Sequence, residues 1–144
     1  MPHIFILNGP NLNLLGQREP QIYGSTTLAD VKAMCQAEAA GLGLTIDFRQ
    51  SNHEGEIVEA IHAARREAQG IVINPAGYTF TSVAILDALK TFDGPKVELH
   101  ISNVHAREAT YHKSLVSPVV TAVMAGFGAA GYRLALRAMK EWTA

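Results

Sequence analysis

Short runs of aliphatic and β-branched residues alternate along this chain with stretches whose apolar positions recur every three or four residues. The runs at 4–7, 44–48, 71–73, 97–101 and 119–124 have the length and composition of strands. Between them, Thr27 is placed to cap a helix from Leu28 to about Ala40, with Val31, Met34 and Cys35 on its apolar side and Gly41 as its stop. A second helix is predicted over roughly 54–68, where Ile57, Ala60, Ile61 and Ala64 share one side and Arg65, Arg66 and Glu67 lie outside. A third covers 82–92 ahead of Gly94-Pro95, and a fourth runs from about 129 to 142. The strand runs are continuously apolar, as in a parallel sheet covered by helices on both faces. The pattern therefore predicts an α/β fold, a flavodoxin-like doubly wound five-stranded parallel sheet, in one domain over 1–144. Such sheets bind ligands beyond the carboxyl ends of their strands, so the loops after Leu7, Phe48, Ile73 and Ile101 are the ones to search.

The loop from Gly9 to Thr26 exceeds the usual connection length, and its glycines and prolines predict an active-site lid at about 16–25. It opens with Asn8-Gly9-Pro10-Asn11-Leu12-Asn13, which sets amide side chains at the functional edge of the sheet. Arg18 and Tyr23 lie within the lid. The third strand runs into Asn74-Pro75-Ala76-Gly77-Tyr78-Thr79, and the fourth into His100-Ile101-Ser102-Asn103-Val104-His105-Ala106-Arg107. Glu98 and His100 are two apart on one strand, so they share a face and the carboxylate can orient the imidazole.

Gly126-Phe127-Gly128-Ala129-Ala130-Gly131 matches G-x-G-x-x-G, yet it marks the last βα junction and no strand follows to carry an acidic residue about 20 positions on. Helix–sheet packing is the expected role of these glycines. The six histidines belong to different elements and form no H-E-x-x-H pattern, so no metal site is expected. There is neither a G-x-S-x-G elbow nor a P-loop.

Composition narrows the function classes further. Of the residues, 48% are hydrophobic and 17% charged, the balance of a folded globular chain. Twelve basic against thirteen acidic residues leave a net charge of −1, which gives no bulk attraction to nucleic acid or an anionic membrane. The lone Cys35 excludes a disulfide framework and a paired redox motif, and fits a reducing compartment. No window approaches the roughly 20 apolar residues of a membrane span. A soluble, cytoplasmic protein is expected.

Taken together, Leu7-Asn8-Gly9-Pro10-Asn11-Leu12-Asn13-Leu14-Leu15-Gly16, Arg18-Glu19-Pro20, Tyr23-Gly24, Gln50-Ser51-Asn52, Asn74-Pro75, Thr81-Ser82-Val83-Ala84 and His100 through Glu108 resemble, in this order, the type II 3-dehydroquinate dehydratases. The resemblance spans essentially the whole chain. It implies dehydration of 3-dehydroquinate to 3-dehydroshikimate through an enolate, in the shikimate pathway of aromatic amino acid biosynthesis, with no cofactor and no Schiff base. By that resemblance Tyr23 is the base, and His100, oriented by Glu98, donates a proton to the departing hydroxyl. Asn11 holds a water that stabilises the enolate, while Asn74 and the backbone amides of Ile101 and Ser102 bind the carboxylate. The resemblance also implies a homo-oligomer, a dodecamer built from trimers, in which Asp87 reaches a neighbour's site.

A free tyrosine has a pKa near 10, so only about one in a thousand is ionised at neutral pH. Arg18 and Arg107 are the cations expected to favour the phenolate of Tyr23. The chain departs from the family pattern at two substrate-binding positions: Phe80 stands where the family has histidine and Tyr111 where it has arginine. Leu86 also replaces the arginine usual before Asp87. The departures leave two further readings beside the first. One is a dehydratase for a related cyclic β-hydroxy ketone acid, the other a non-catalytic carboxylate binder.

Overall fold

Strands form where the apolar runs lie: β1 (His3–Asn8), β2 (Thr45–Gln50), β3 (Gly70–Asn74), β4 (Lys96–His100) and β5 (Ala122–Ala125). The computed structural model describes residues 1–17, 21 and 24–144. All neighbouring strands are parallel, in the order β2-β1-β3-β4-β5. The order reverses between β1 and β3, so the crevice beyond their carboxyl ends is the ligand position of this topology. Register brings Gln50, Asn8 and Asn74 into one row across β2, β1 and β3 at that end.

Helices α1 (Leu28–Leu42) and α4 (Ala130–Thr143) cover one face of the sheet, and α2 (Glu54–Glu67) and α3 (Val83–Lys90) the other. Successive strand residues serve opposite cores, as a two-residue repeat requires. Ile4, Ile6, Val72, Val97 and Leu99 pack with Val31, Cys35, Leu136 and Met139. Phe5, Leu7, Ile71 and Ile73 pack with Ile57, Ile61, Ile85 and Leu89. Each such side chain contributes about 1.5–3 kcal/mol on full burial, which outweighs any local propensity in these elements. Burial pushes the Cys35 thiol up to about 12, against a smaller opposing effect of Arg133, so this thiol is a packing group.

The element ends follow local chemistry. Thr27 caps α1 as predicted: its side chain accepts from the Asp30 N–H at 3.1 Å, and Asp30 accepts from the Thr27 N–H at 3.0 Å. The helix passes the predicted stop at Gly41 and ends at Gly43, which takes the left-handed conformation (φ 71°) and donates back to the Ala39 and Ala40 carbonyls. β5 starts later than predicted because Ser117–Val119 forms a 3-10 turn around Pro118, which has no N–H to give a ladder. Gly131, last of the G-x-G-x-x-G glycines, packs on the sheet: a Cβ there would lie 3.0 Å from Leu99 Cδ1. Among the described residues no helix is long and apolar enough to cross a membrane.

Candidate active site

Glu98 and His100 project from the face of β4 opposite Val97 and Leu99. Glu98 is only 1% exposed, and a carboxylate so buried is stable only when its oxygens are hydrogen-bonded. They are: Thr79 Oγ1 donates at 3.1 Å, His100 Nε2 lies at 2.5 Å, and the Ser117 hydroxyl and Ser114 also donate. Burial pushes the carboxyl up, but the bonds from His100 and Ser117, the imidazole charge and Ser114 together outweigh it and hold Glu98 below the usual glutamate range. A carboxylate only accepts, so Nε2 carries a proton and Nδ1 is the other ring nitrogen. The Leu115 N–H donates to the Thr79 carbonyl at 2.8 Å, tying together the two segments that supply the Glu98 partners.

The loop after β1 is pressed against the loop after β3. A Cβ on Gly9 would lie 2.4 Å from the Pro75 carbonyl oxygen, so no other residue fits there. The following turn places Asn11 at φ 69°, a conformation asparagine tolerates better than most residues, and its N–H donates to Asn52 Oδ1 at 2.9 Å. Gln50 Nε2 bridges the Gly9 carbonyl and Asn52 Oδ1, each at 3.1 Å. The Gln50-Ser51-Asn52 segment therefore works as a brace for the Asn11 turn. Asn74, at the end of β3, accepts from the Ala76 N–H at 3.2 Å and donates to the Tyr132 hydroxyl at 3.1 Å.

Between these loops lies a cavity of about 170 Å³, into which Asn11, Asn74, Phe80, His100, Ile101, Ser102, Arg107 and Tyr111 converge, with Leu12, Leu15 and Val104. Its aromatic end is built by contact between rings. Phe80 stacks on His100 with centroids 6.2 Å apart and planes at 23°, Tyr111 meets Phe80 edge-on at 5.6 Å, and the Arg107 guanidinium lies 3.9 Å over the Tyr111 ring. A larger hollow of about 870 Å³ among Arg65, Gln69, Asp93 and Trp142 opens at the amino ends of the strands and holds none of the predicted site residues.

Eight of the twelve predicted site residues thus meet in one cavity, and Glu98 stands behind His100. Arg18 and Tyr23, with half of the predicted lid, lie outside the described residues. Asp87 is exposed on α3, 3.9 Å from Lys90, and does not line this cavity. Thr79, Ser114, Ser117 and Tyr132 are the contributors that sequence reasoning missed. The three hydroxyl residues have no local signal. Tyr132 had one, a tyrosine among the apolar positions of α4, since a buried phenol needs a partner for its O–H. Among the described residues no group of three or more His, Cys, Asp or Glu side chains is placed to hold a metal ion.

Residues 2–140 match the family described as Dehydroquinase class II. The chain is 59% identical to a 3-dehydroquinate dehydratase of Sinorhizobium medicae over 140 residues, 97% of this chain and 95% of that one. It is 64% identical to a 3-dehydroquinate dehydratase of Streptomyces avermitilis over 134 residues, 92% of this chain and 84% of the other. The crystal structure of a type II dehydroquinase from Propionibacterium acnes superposes with a TM-score of 0.94 at 44% identity, covering 98% of this chain and 97% of that one.

Proposed function

The chain belongs to the dehydroquinase class II family, and we propose that the cavity beyond β1, β3 and β4 carries out the elimination. The reaction is the dehydration of 3-dehydroquinate to 3-dehydroshikimate, a hydro-lyase step of the shikimate pathway. The observation that carries the site assignment is the buried Glu98–His100 pair opening onto the same cavity as Asn74 and the start of the loop after β4.

The substrate carboxylate binds Asn74 and the backbone amides of Ile101 and Ser102. Tyr23, as phenolate favoured by Arg18 and Arg107, takes the proton from the carbon beside the ketone. The electron pair passes into an enolate, which a water held by Asn11 stabilises. The carbon–oxygen bond to the β-hydroxyl then breaks as His100 gives that oxygen a proton, and water leaves. With Nε2 held by Glu98, Nδ1 is the nitrogen that delivers it. Tyrosine, histidine and arginine supply base, acid and charge, so the route calls for no metal or cofactor. Residues 16–25 act as the lid of one catalytic domain, bringing Arg18 and Tyr23 in together. The protein works in the cytoplasm as a dodecamer built from trimers, with the exposed Asp87 reaching a neighbour's site.

The direct test is incubation of metal-free protein with 3-dehydroquinate, following the ultraviolet absorbance of the conjugated enone. Absorbance should rise with enzyme concentration, and no rise at any concentration overturns the assignment. The rings of Phe80 and Tyr111 favour a second reading for substrate choice: a related cyclic β-hydroxy ketone acid with fewer hydroxyls remote from the reacting carbons.

A further inference from the structure

Asn74 belongs to a buried hydrogen-bond relay that leaves the cavity and crosses the sheet. The Ala76 N–H donates to Asn74 Oδ1 at 3.2 Å, Asn74 Nδ2 to the Tyr132 hydroxyl at 3.1 Å, Tyr132 to Asn8 Oδ1 at 2.7 Å, and Asn8 Nδ2 to the Arg49 carbonyl at 3.0 Å. Every bond runs in the same donating direction, so each polarises the next. The direction is not arbitrary. A backbone N–H can only donate and a backbone carbonyl can only accept, so both ends of the relay are fixed by groups that cannot be reversed. Asn8, Asn74 and Tyr132 are 1%, 3% and 1% exposed, which keeps water from substituting for any member.

A side-chain amide is nearly symmetrical in shape, and its two ends differ only in the sign of the hydrogen bond they offer. For an anion that difference decides between attraction and repulsion. Turning the Asn74 amide over would set its nitrogen against the Ala76 N–H and its oxygen against a phenol whose single proton is given to Asn8. We infer that Tyr132 is a positioning residue, which locks the Asn74 amide so that its nitrogen end, with a second N–H to give, serves the substrate carboxylate. This rests on the carboxylate site proposed above. Burial pushes the Tyr132 phenol well above its ordinary value, against a smaller opposing effect of Asn74, so it keeps the proton the relay requires.

The test is a double-mutant cycle of Tyr132→Phe and Asn74→Ala in the full-length protein, read as KM and kcat for 3-dehydroquinate, with Tm measured on all four proteins. Tyr132→Phe keeps the ring and removes only the hydroxyl, and KM should rise roughly five- to tenfold while kcat stays within about twofold. With Asn74 already alanine, the same change should move KM less than about twofold, because residues acting through one another are not additive. A loss of packing alone would lower Tm in both backgrounds without this split. An unchanged KM in a folded Tyr132→Phe protein, or the same factor in both backgrounds, overturns the inference. If Asn74→Ala itself leaves KM unchanged, the carboxylate assignment fails and takes this inference with it, which tells the two failures apart. Should Tyr132→Phe not fold, Asn8→Ala cuts the relay at its next bond, and the same KM rise, absent in the Asn74→Ala background, is expected.

Discussion

The cavity has two unlike ends. At the polar end each group is held by directional bonds: Glu98 by His100, Thr79, Ser117 and Ser114, and Asn74 by Ala76 and Tyr132. At the aromatic end Phe80, Tyr111 and Arg107 hold one another through ring faces and edges. Hydrogen bonds fix the direction in which a proton is offered or taken, whereas ring contacts fix shape and exclude water. A wall of the second kind also distinguishes a hydroxyl from a hydrogen poorly, because it leaves no polar group unpaired when the hydroxyl is missing. The proposed chemistry falls to the polar end and the proposed choice of substrate to the aromatic end.

The largest expected effect separates binding from turnover. Tyr23→Phe should reduce kcat on the order of 10³-fold or more while carboxylate ligands still bind, because the polar end is intact and only the ionisable oxygen is gone. Calorimetry with a carboxylate ligand beside the absorbance assay measures both. Near wild-type turnover in that variant would remove Tyr23 as the base.

Next comes the link behind His100. Glu98→Gln keeps the shape but replaces the carboxylate acceptor that fixes the orientation of the His100 ring with an amide, so kcat should fall on the order of 10²-fold with a smaller change in KM. A KM effect alone would mean that the pair serves binding rather than proton transfer.

The aromatic end is probed in the opposite direction. Phe80→His combined with Tyr111→Arg should raise kcat/KM for 3-dehydroquinate on the order of tenfold if each restored bond contributes about 1 kcal/mol in the transition state. A wild type already fast on 3-dehydroquinate, with a double variant no better, would show that other residues grip the remote hydroxyls and that the two ends do not divide the work in this way.

The smallest effect concerns acid stability. The folded value of Glu98 lies below the unfolded one, so its contribution to stability is fully present above the ordinary glutamate range, near pH 4.3, and is lost as pH falls through the lower folded value. The urea midpoint of the wild type should therefore decline below about pH 4 more steeply than that of Glu98→Gln. Phe80→Leu, which adds no titrating group, should keep the wild-type slope. Equal slopes in wild type and Glu98→Gln would show that Glu98 does not drive the acid transition.

Local repeats in the sequence carried much of this fold. The five apolar runs located the strands, Thr27 announced its helix, and the spacing of Glu98 and His100 placed them on one face. These features were legible because side-chain direction is set by the repeat of the element that carries it, two residues in a strand and 3.6 in a helix. The loops after β1, β3 and β4 were legible for a related reason, since a parallel doubly wound sheet gathers them at one edge. The end of α1 was not, because two glycines lie close together and the tertiary path of the chain selects Gly43 to turn left-handed.

The partners of the site residues were beyond the reach of sequence. Thr79 and Ser117 approach Glu98 from 19 positions before and 19 after it, and the Tyr132 phenol meets Asn8 across 124 residues. No periodicity spans such distances. Their meeting depends on how the two helical layers pack on the sheet, and only the folded molecule could decide that the phenol from α4 would end between two strand-end amides.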